Sequence, residues 1–466
     1  MPNLNNNIPN SIGTVIEDET SPSFDIFKFQ SNQEISSGSF VVTPINKSSF
    51  ILGHVVKVLK KTKIKYYEAD ALEQGTYSGK EYVFHEPRDA AVPGMSVNEP
   101  SYSIIAGAVG IESSGRAILL GEVGGGKAGL NPQNLSRHMF IGGTTGSGKS
   151  YAAGVILEEL NRLEIPAIIL DSQQEYKELT EGLNGLVVRP GIDYTVSLSS
   201  LTDEESVSLA SSLRGTLGFE LFNFSFLALK KEIQEGRRQS FNLTDLLKRM
   251  ESDAPSLGMD GYQMRLAVAR ADASIRRHEF LRTIGKNLDW QQVIKKKTIN
   301  IDCSRLELLQ LQLVVGATLR EMQKLRFKES IPPYVVVLDE AHLLVPSEEN
   351  SPCKQVIREN VRIGRHYGIC AILITQNPLD IDRRTISQCN TRLIFALEPD
   401  QLSALQGVRA DITENMFKRI PKLPRGVCLV SGTYETVKHA VVMKIRSDRK
   451  TKHGGDAPKI VRSARY

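Results

Sequence analysis

Gly143, Thr144, Thr145, Gly146, Ser147, Gly148, Lys149 and Ser150 have the types and spacing of a phosphate-binding loop, G-x-x-x-x-G-K-S. The glycines let backbone N–H groups wrap around phosphate oxygens, and Lys149 places a cation on the β- and γ-phosphates. The Ser150 hydroxyl ligates the Mg²⁺ that travels with the nucleotide, so ATP and Mg²⁺ are the expected cofactors. A second constellation completes the first. The apolar run Val335–Leu338 ends in Asp339 and Glu340. Asp339 is placed to hold Mg²⁺, and Glu340, beside the γ-phosphate, to accept a proton from the attacking water or to orient it. Either carboxylate alone reads equally well as a strand-end cap. The pair, in a chain that also carries the loop, points to nucleotide hydrolysis.

A rival loop precedes the first. In "GEVGGGKAG", residues 121–129, Gly121, Gly126 and Lys127 repeat the spacing, but Ala128 stands where the metal needs a hydroxyl. No helix follows to receive an anion at its N-terminus. The Gly-, Asn- and Pro-rich stretch around it reads as a flexible hinge. Gln376 ends the run "CAILITQ" and senses the γ-phosphate, positions water or bonds the loop that follows. Asp171 and Glu175, in "ILDSQQEY", orient water, contact a neighbouring subunit or cap a helix. Arg358, Arg362 and Arg365 fall within two helical turns before a glycine stop. They read as a solvated basic face, or as the source of an arginine finger that completes a neighbouring subunit's site. Arg392 is a second finger candidate.

These groups need rigid elements behind them. "HMFIG" before the loop reads as a buried strand and "YAAGVILEELNRL" after it as a helix, with Ala152, Val155, Ile156 and Leu160 at helical spacing. Residues 167–171, 298–302, 334–340, 370–376 and 392–397 read as buried parallel strands alternating with helices, which is a doubly wound α/β arrangement. Residues 200–297 interrupt it as a helical insertion, with Thr202 and Glu205 at capping-box spacing. Between residues 22 and 120, short β-branched runs, "SYSIIAGAVGI" among them, predict a small barrel. The domain reading is therefore 1–125 as an N-terminal β-barrel with a disordered start, 126–445 as the nucleotide-hydrolysing domain, and 446–466 as a basic tail.

Composition limits the alternatives. The 466 residues are 41% hydrophobic and 24% charged, as in globular proteins. There is no apolar run long enough to span a bilayer and no signal-peptide pattern at the start, so a cytoplasmic protein without membrane insertion is expected. Five scattered cysteines and the absence of an H-E-x-x-H pair argue against disulfides and a protein-bound metal. The net charge of +5 is carried by the end of the chain. Residues 444–466 hold eight lysines and arginines against two aspartates, leaving the rest near neutral.

In order, "LSRHMFIGGTTGSGKS", "ILDSQQEY", "VVVLDEAH", "RIGRHYG", "ILITQNP" and "SQCNTRLIFAL" resemble the HerA-like branch of the HerA/FtsK ATPases over about residues 100–445. The resemblance implies a RecA-like P-loop NTPase domain behind a small N-terminal barrel. It implies a homohexamer that hydrolyses ATP between subunits and passes double-stranded DNA through its pore. It also implies Lys149, Ser150, Asp339, Glu340 and Gln376 in the roles above, with Arg365 as the finger. The chain has no nuclease signature, so cleavage would come from a separate effector, in DNA end processing or antiphage defence. An assembly platform gated by ATP and a conjugation or secretion pump are the competing readings. The insertion shows no dense Lys/Arg pore motif.

Overall fold

The computed structural model describes residues 11–17, 23–36, 38–61, 64–78, 82–112, 114–281, 288–408 and 412–451. The Asn-rich first ten residues and the basic tail from 452 onward lie outside them. The described residues divide into two compact units, one within Met1–Ile156 and Cys389–Asp448, the other within Leu157–Gln388 and Arg449–Tyr466.

The first unit opens with a barrel. Its strands are β1 (Ser11–Val15), β2 (Ile26–Ser31), β3 (Phe40–Pro44), β4 (Ser49–Lys61), β5 (Ile64–Tyr77), β6 (Tyr82–His85) and β7 (Ser96–Asn98). They follow the order β2-β1-β7-β3-β4-β5, and β5 returns to β2, closing a six-stranded ring with β6 outside it. Alternation drives the closure. Phe27 and Phe29 on β2, Val41 on β3, Ile51 and Val55 on β4, and Tyr67 and Ala69 on β5 point inward and form one buried core. Closure leaves the ring without the unpaired edges that an open sheet presents.

One expected strand is a helix. In "SYSIIAGAVGI", Tyr102–Val109 is α-helical and ends at Gly110 in the left-handed region, φ 78°. The apolar run looked like a strand, but Ile104, Ile105, Ala108 and Val109 recur at helical spacing and are the residues buried.

Eleven further strands are described: β8 (Ile118–Val123), β9 (Gly126–Leu130), β10 (Met139–Gly142), β11 (Ala167–Asp171), β12 (Leu186–Val188), β13 (Thr298–Asp302), β14 (Tyr334–Leu338), β15 (Ile369–Thr375), β16 (Thr391–Ile394), β17 (Val427–Gly432) and β18 (Val441–Ile445). In the first unit β10 runs parallel to β16, and antiparallel pairing continues through β17, β18, β8 and β9. The residues read as a hinge are therefore a β-hairpin. Gly124 (φ 56°) and Gly125 (φ 80°) make its two-residue turn. A turn with both central residues left-handed matches the twist of paired strands, so the glycines that looked like linker composition fix a register instead. Lys127 sits opposite Glu122 on this hairpin.

In the second unit β12-β13-β11-β14-β15 is a parallel array. Strands β11, β13 and β14 are buried along their whole length, as parallel strands covered on both faces must be. Helices Leu308–Phe327 and Lys354–Tyr367 link β13 to β14 and β14 to β15. Between β12 and β13 lie helices Asp203–Leu209, Leu217–Gln234, Leu243–Asp253 and Gly261–Arg276. Their mutual packing buries Leu221, Phe222, Phe226, Leu246, Met250 and Ala271.

Thr202 and Glu205 close their capping box in both directions. Glu205 is fully buried, and both its oxygens also accept from the Arg320 guanidinium on helix Leu308–Phe327. Glu205→Ala removes the box and strands the arginine. It is expected to cost about 3–5 kcal/mol, read as a fall in the urea midpoint of the second unit.

Candidate functional site

The phosphate loop lies in the first unit, between β10 and helix Lys149–Arg162. Backbone bonds tie it down at both ends: Thr144 N–H donates to the Ala396 carbonyl (2.7 Å), and Gly426 N–H donates to the Ser147 carbonyl (2.9 Å). Glycine is a steric requirement here. Gly148 has φ 116°, and a Cβ on Gly143 would stand 2.6 Å from the Phe395 Cβ and 2.7 Å from Ser147 Oγ. Lys149 is 8% exposed. Its Nζ donates to the Thr144 carbonyl at 3.0 Å, and Ser147 Oγ donates to the same carbonyl at 2.7 Å. The lysine thus folds over a cradle that is otherwise backbone.

The carboxylates lie in the second unit, at the carboxyl ends of adjacent strands β11 and β14. Asp171 is fully buried. Its carboxylate accepts from the backbone N–H groups of Gln173 (3.2 Å), Glu175 (3.0 Å) and Tyr176 (2.9 Å), and from Asn300 Nδ2 (3.0 Å). Burial pushes the Asp171 carboxyl above the usual range, and these four bonds offset only part of that rise. Asp339 is pushed well above that range, first by burial, then by the neighbouring charges of Glu340, Glu175 and Asp171. Four acidic side chains therefore share one low-dielectric corner.

Glu340 is the strained member. It adopts φ 46°, ψ 50°, a left-handed conformation that costs a non-glycine residue about 1–3 kcal/mol and that clusters at functional sites. Gln173 Nε2 donates to its Oε1 at 3.3 Å. Its Oε2 is buried without a hydrogen-bond partner among the described residues, and His342 Nδ1 stands 3.3 Å away. His342 Nδ1 is also 3.1 Å from Thr375 Oγ1, at the end of β15. Gln173, His342 and Asn300 were not singled out from the sequence. Gln173 and His342 stood inside quoted motifs, but only the register of neighbouring strand ends shows what they touch.

The remaining candidates separate. Gln376 is half-buried, one residue past the end of β15. Arg362 and Arg365 are exposed on helix Lys354–Tyr367 and bond to none of the described residues. Arg392 is 5% exposed within β16, between Phe140 and Ser431 in register, a poor position from which to reach another subunit.

Residues 118–322 match the family described as the central domain of helicase HerA, and residues 327–446 match its HerA-like C-terminal domain. The chain belongs to the HerA-like ATPase family. Among curated relatives, a probable helicase of Methanocaldococcus jannaschii is 24% identical over 64% of this chain and 60% of its own length. The DNA double-strand break repair helicase HerA of Sulfurisphaera tokodaii is 24% identical over 67% of this chain and 65% of its own. The chain thus spans 60 to 65% of the length of these relatives. The fold agrees with membership of this family. VirB4 of Thermoanaerobacter pseudethanolicus superposes with a TM-score of 0.56 at 18% identity, over 72% of this chain and 97% of that one. The plasmid coupling protein TrwB, in complex with ADP and Mg²⁺, gives 0.50 at 12% identity over 72% and 90%. The chain therefore carries a RecA-like P-loop α/β fold together with the closed barrel.

Proposed function

We propose that the chain is the ATP-hydrolysing core of a cytoplasmic homohexameric motor. It moves or unwinds double-stranded DNA and works with a separate effector, a nuclease foremost, in DNA end processing or antiphage defence. The observation that carries the reading is the strained, half-tethered Glu340 beside the buried carboxyl of Asp339, in a chain with a complete phosphate loop. The relatives named as double-strand break repair helicases support DNA as the substrate.

Lys149 binds the β- and γ-phosphates, and the backbone N–H groups of residues 143–148 line the rest of the anion. The Ser150 hydroxyl and the Asp339 carboxylate are the hard oxygen donors that would hold Mg²⁺, and a cation beside Asp339 would relieve its crowding by Glu340, Glu175 and Asp171. Mg²⁺ held by these oxygens would supply charge neutralisation at the phosphoryl oxygens. Glu340 accepts the proton of the attacking water through Oε2, which takes no hydrogen bond from the described residues and has His342 Nδ1 at 3.3 Å, while Gln173 holds the other oxygen. Gln376 reads the γ-phosphate, and Arg365 stabilises the charge of a neighbour's reaction. The near-neutral charge outside the tail favours one other reading, an ATP-gated platform for an effector. A motor that grips duplex phosphates needs cations along its channel.

Steady-state hydrolysis with and without duplex DNA tests the proposal. Stimulation by DNA is expected, and a rate indifferent to DNA selects the platform. Lys149→Ala is expected to abolish tight ATP binding, whereas Lys127→Ala, on the exposed hairpin, leaves it nearly unchanged. Equal losses in the two variants would remove the phosphate site from residues 143–150.

A further inference from the structure

A cavity of about 280 Å³ opens in the second unit, its lining residue Asp302 opposite Asp171 in register, and three arginines line it: Arg189, Arg277 and Arg305. Its position follows from topology. Arg189 is the first residue after β12, and Asp302, which also lines the cavity, is the last residue of β13. The cavity thus lies at the carboxyl ends of two adjacent parallel strands, the place where open α/β sheets receive ligands. Phe280, 1% exposed, contributes an apolar wall.

The charges are organised rather than scattered. Arg189 is held in place, since Asp193 Oδ2 accepts from both its backbone N–H (2.8 Å) and its Nε (2.9 Å). The single lining carboxylate, Asp302, has its hydrogen-bonding capacity taken by neutral donors rather than by Arg277 or Arg305. Its Oδ1 accepts from Ser304 N–H and Oγ, and its Oδ2 accepts from Gln174 Nε2 at 3.1 Å. Arg277 and Arg305 form no ion pair or hydrogen bond with any of the described residues. Two guanidinium forks that make no ion pair with the described residues therefore line one concavity, with one carboxylate, Asp302, against three arginines and the third fork's orientation set. Guanidinium forks match the paired oxygens of a phosphate, and Arg is favoured over Lys where that bidentate match matters.

We propose that this cavity is a second phosphate-binding site, which takes a phosphate-bearing ligand on Arg277 and Arg305 independently of the loop at 143–150. Two sources share that chemistry, the backbone of a nucleic acid and a free nucleotide. Neither requires hydrolysis at Glu340, so the inference stands apart from the motor reading.

The test uses the full chain carrying Lys149→Ala, which silences the first phosphate site, with and without Arg277→Ala and Arg305→Ala together. Both arginines are exposed, so the triple variant is expected to keep the thermal midpoint of its parent. Binding of duplex DNA is measured across a salt series, and binding of a fluorescent adenine nucleotide is measured in parallel. For a backbone contact, the triple variant loses at least tenfold in DNA affinity, and the slope of log K against log salt becomes shallower by about 2, close to 0.9 per phosphate released. For a free nucleotide, DNA binding is unchanged and residual nucleotide binding disappears. Arg305→Lys is expected to recover only part of either loss, because it restores charge without the fork. Unchanged binding of both probes in the triple variant overturns the proposal, and full recovery by Arg305→Lys overturns the bidentate contact. Failure of Lys149→Ala itself to weaken nucleotide binding would count against the motor reading and leave this comparison intact.

Discussion

Glu340→Gln is expected to bind ATP as tightly as the wild type and to hydrolyse it at least about 10²-fold more slowly, the scale of a lost general base. The substitution preserves volume and the backbone conformation at φ 46°, and its amide oxygen still accepts from Gln173 Nε2. What it removes is the basicity of Oε2, which takes no hydrogen bond from the described residues. Single-turnover hydrolysis separates the chemical step from binding, and a fluorescent nucleotide titration checks that affinity survives. The variant is also expected to hold ATP long enough for a stable nucleotide-bound form to be isolated by gel filtration. Near wild-type hydrolysis would move the base elsewhere, with Glu175 next in line, since it extends from the same Asp171-bound turn.

Much of this corner is readable from residue order alone. The five buried strand runs from 167 to 397 lie where the alternation of apolar runs and helices puts them, because parallel strands buried on both faces leave a continuous hydrophobic signature. The phosphate loop is equally plain, since its glycines answer a local steric demand visible in eight residues. What escaped depends on partners distant in sequence or on periodicity over a short span. Gln173 and Glu340 are 167 residues apart, and only the pairing of β11 with β14 brings them together. Helix Tyr102–Val109 is two turns long, too short for its period to stand out from a β-branched run. The 118–130 hairpin misled through composition. Two adjacent glycines serve a flexible linker and a tight left-handed turn equally well, and the decision rests on what flanks them. The arginine cavity was invisible for the first reason, because its three guanidiniums come from three separate segments.

Arg365→Ala tests the ring as well as the residue. Exposed on its helix and bonded to none of the described residues, Arg365 contributes little to the fold, so the variant is expected to bind ATP and assemble normally. Its hydrolysis is expected to fall by about 10³-fold, the low end of what arginine fingers contribute. Mixing then separates a finger in trans from one in cis. Glu340→Gln subunits lack the base and keep the finger, and Arg365→Ala subunits have the reverse. Where a Glu340→Gln subunit donates its arginine to an Arg365→Ala neighbour, one interface carries both intact groups. At equal, random mixing about one interface in four is of this kind, because a head-to-tail ring repeats a single donor–acceptor contact. The mixture is therefore expected to hydrolyse ATP at about a quarter of the wild-type rate per interface, far above either parent, since each parent is down by about 10²-fold or more. A cis arginine predicts no recovery, because every site then lacks one of its two groups. Mixed rings with verified co-assembly and no activity would pass the role to Arg362, which is exposed on the same helix one turn earlier. Arg392 is not a substitute, because its place within β16 buries the guanidinium in its own subunit.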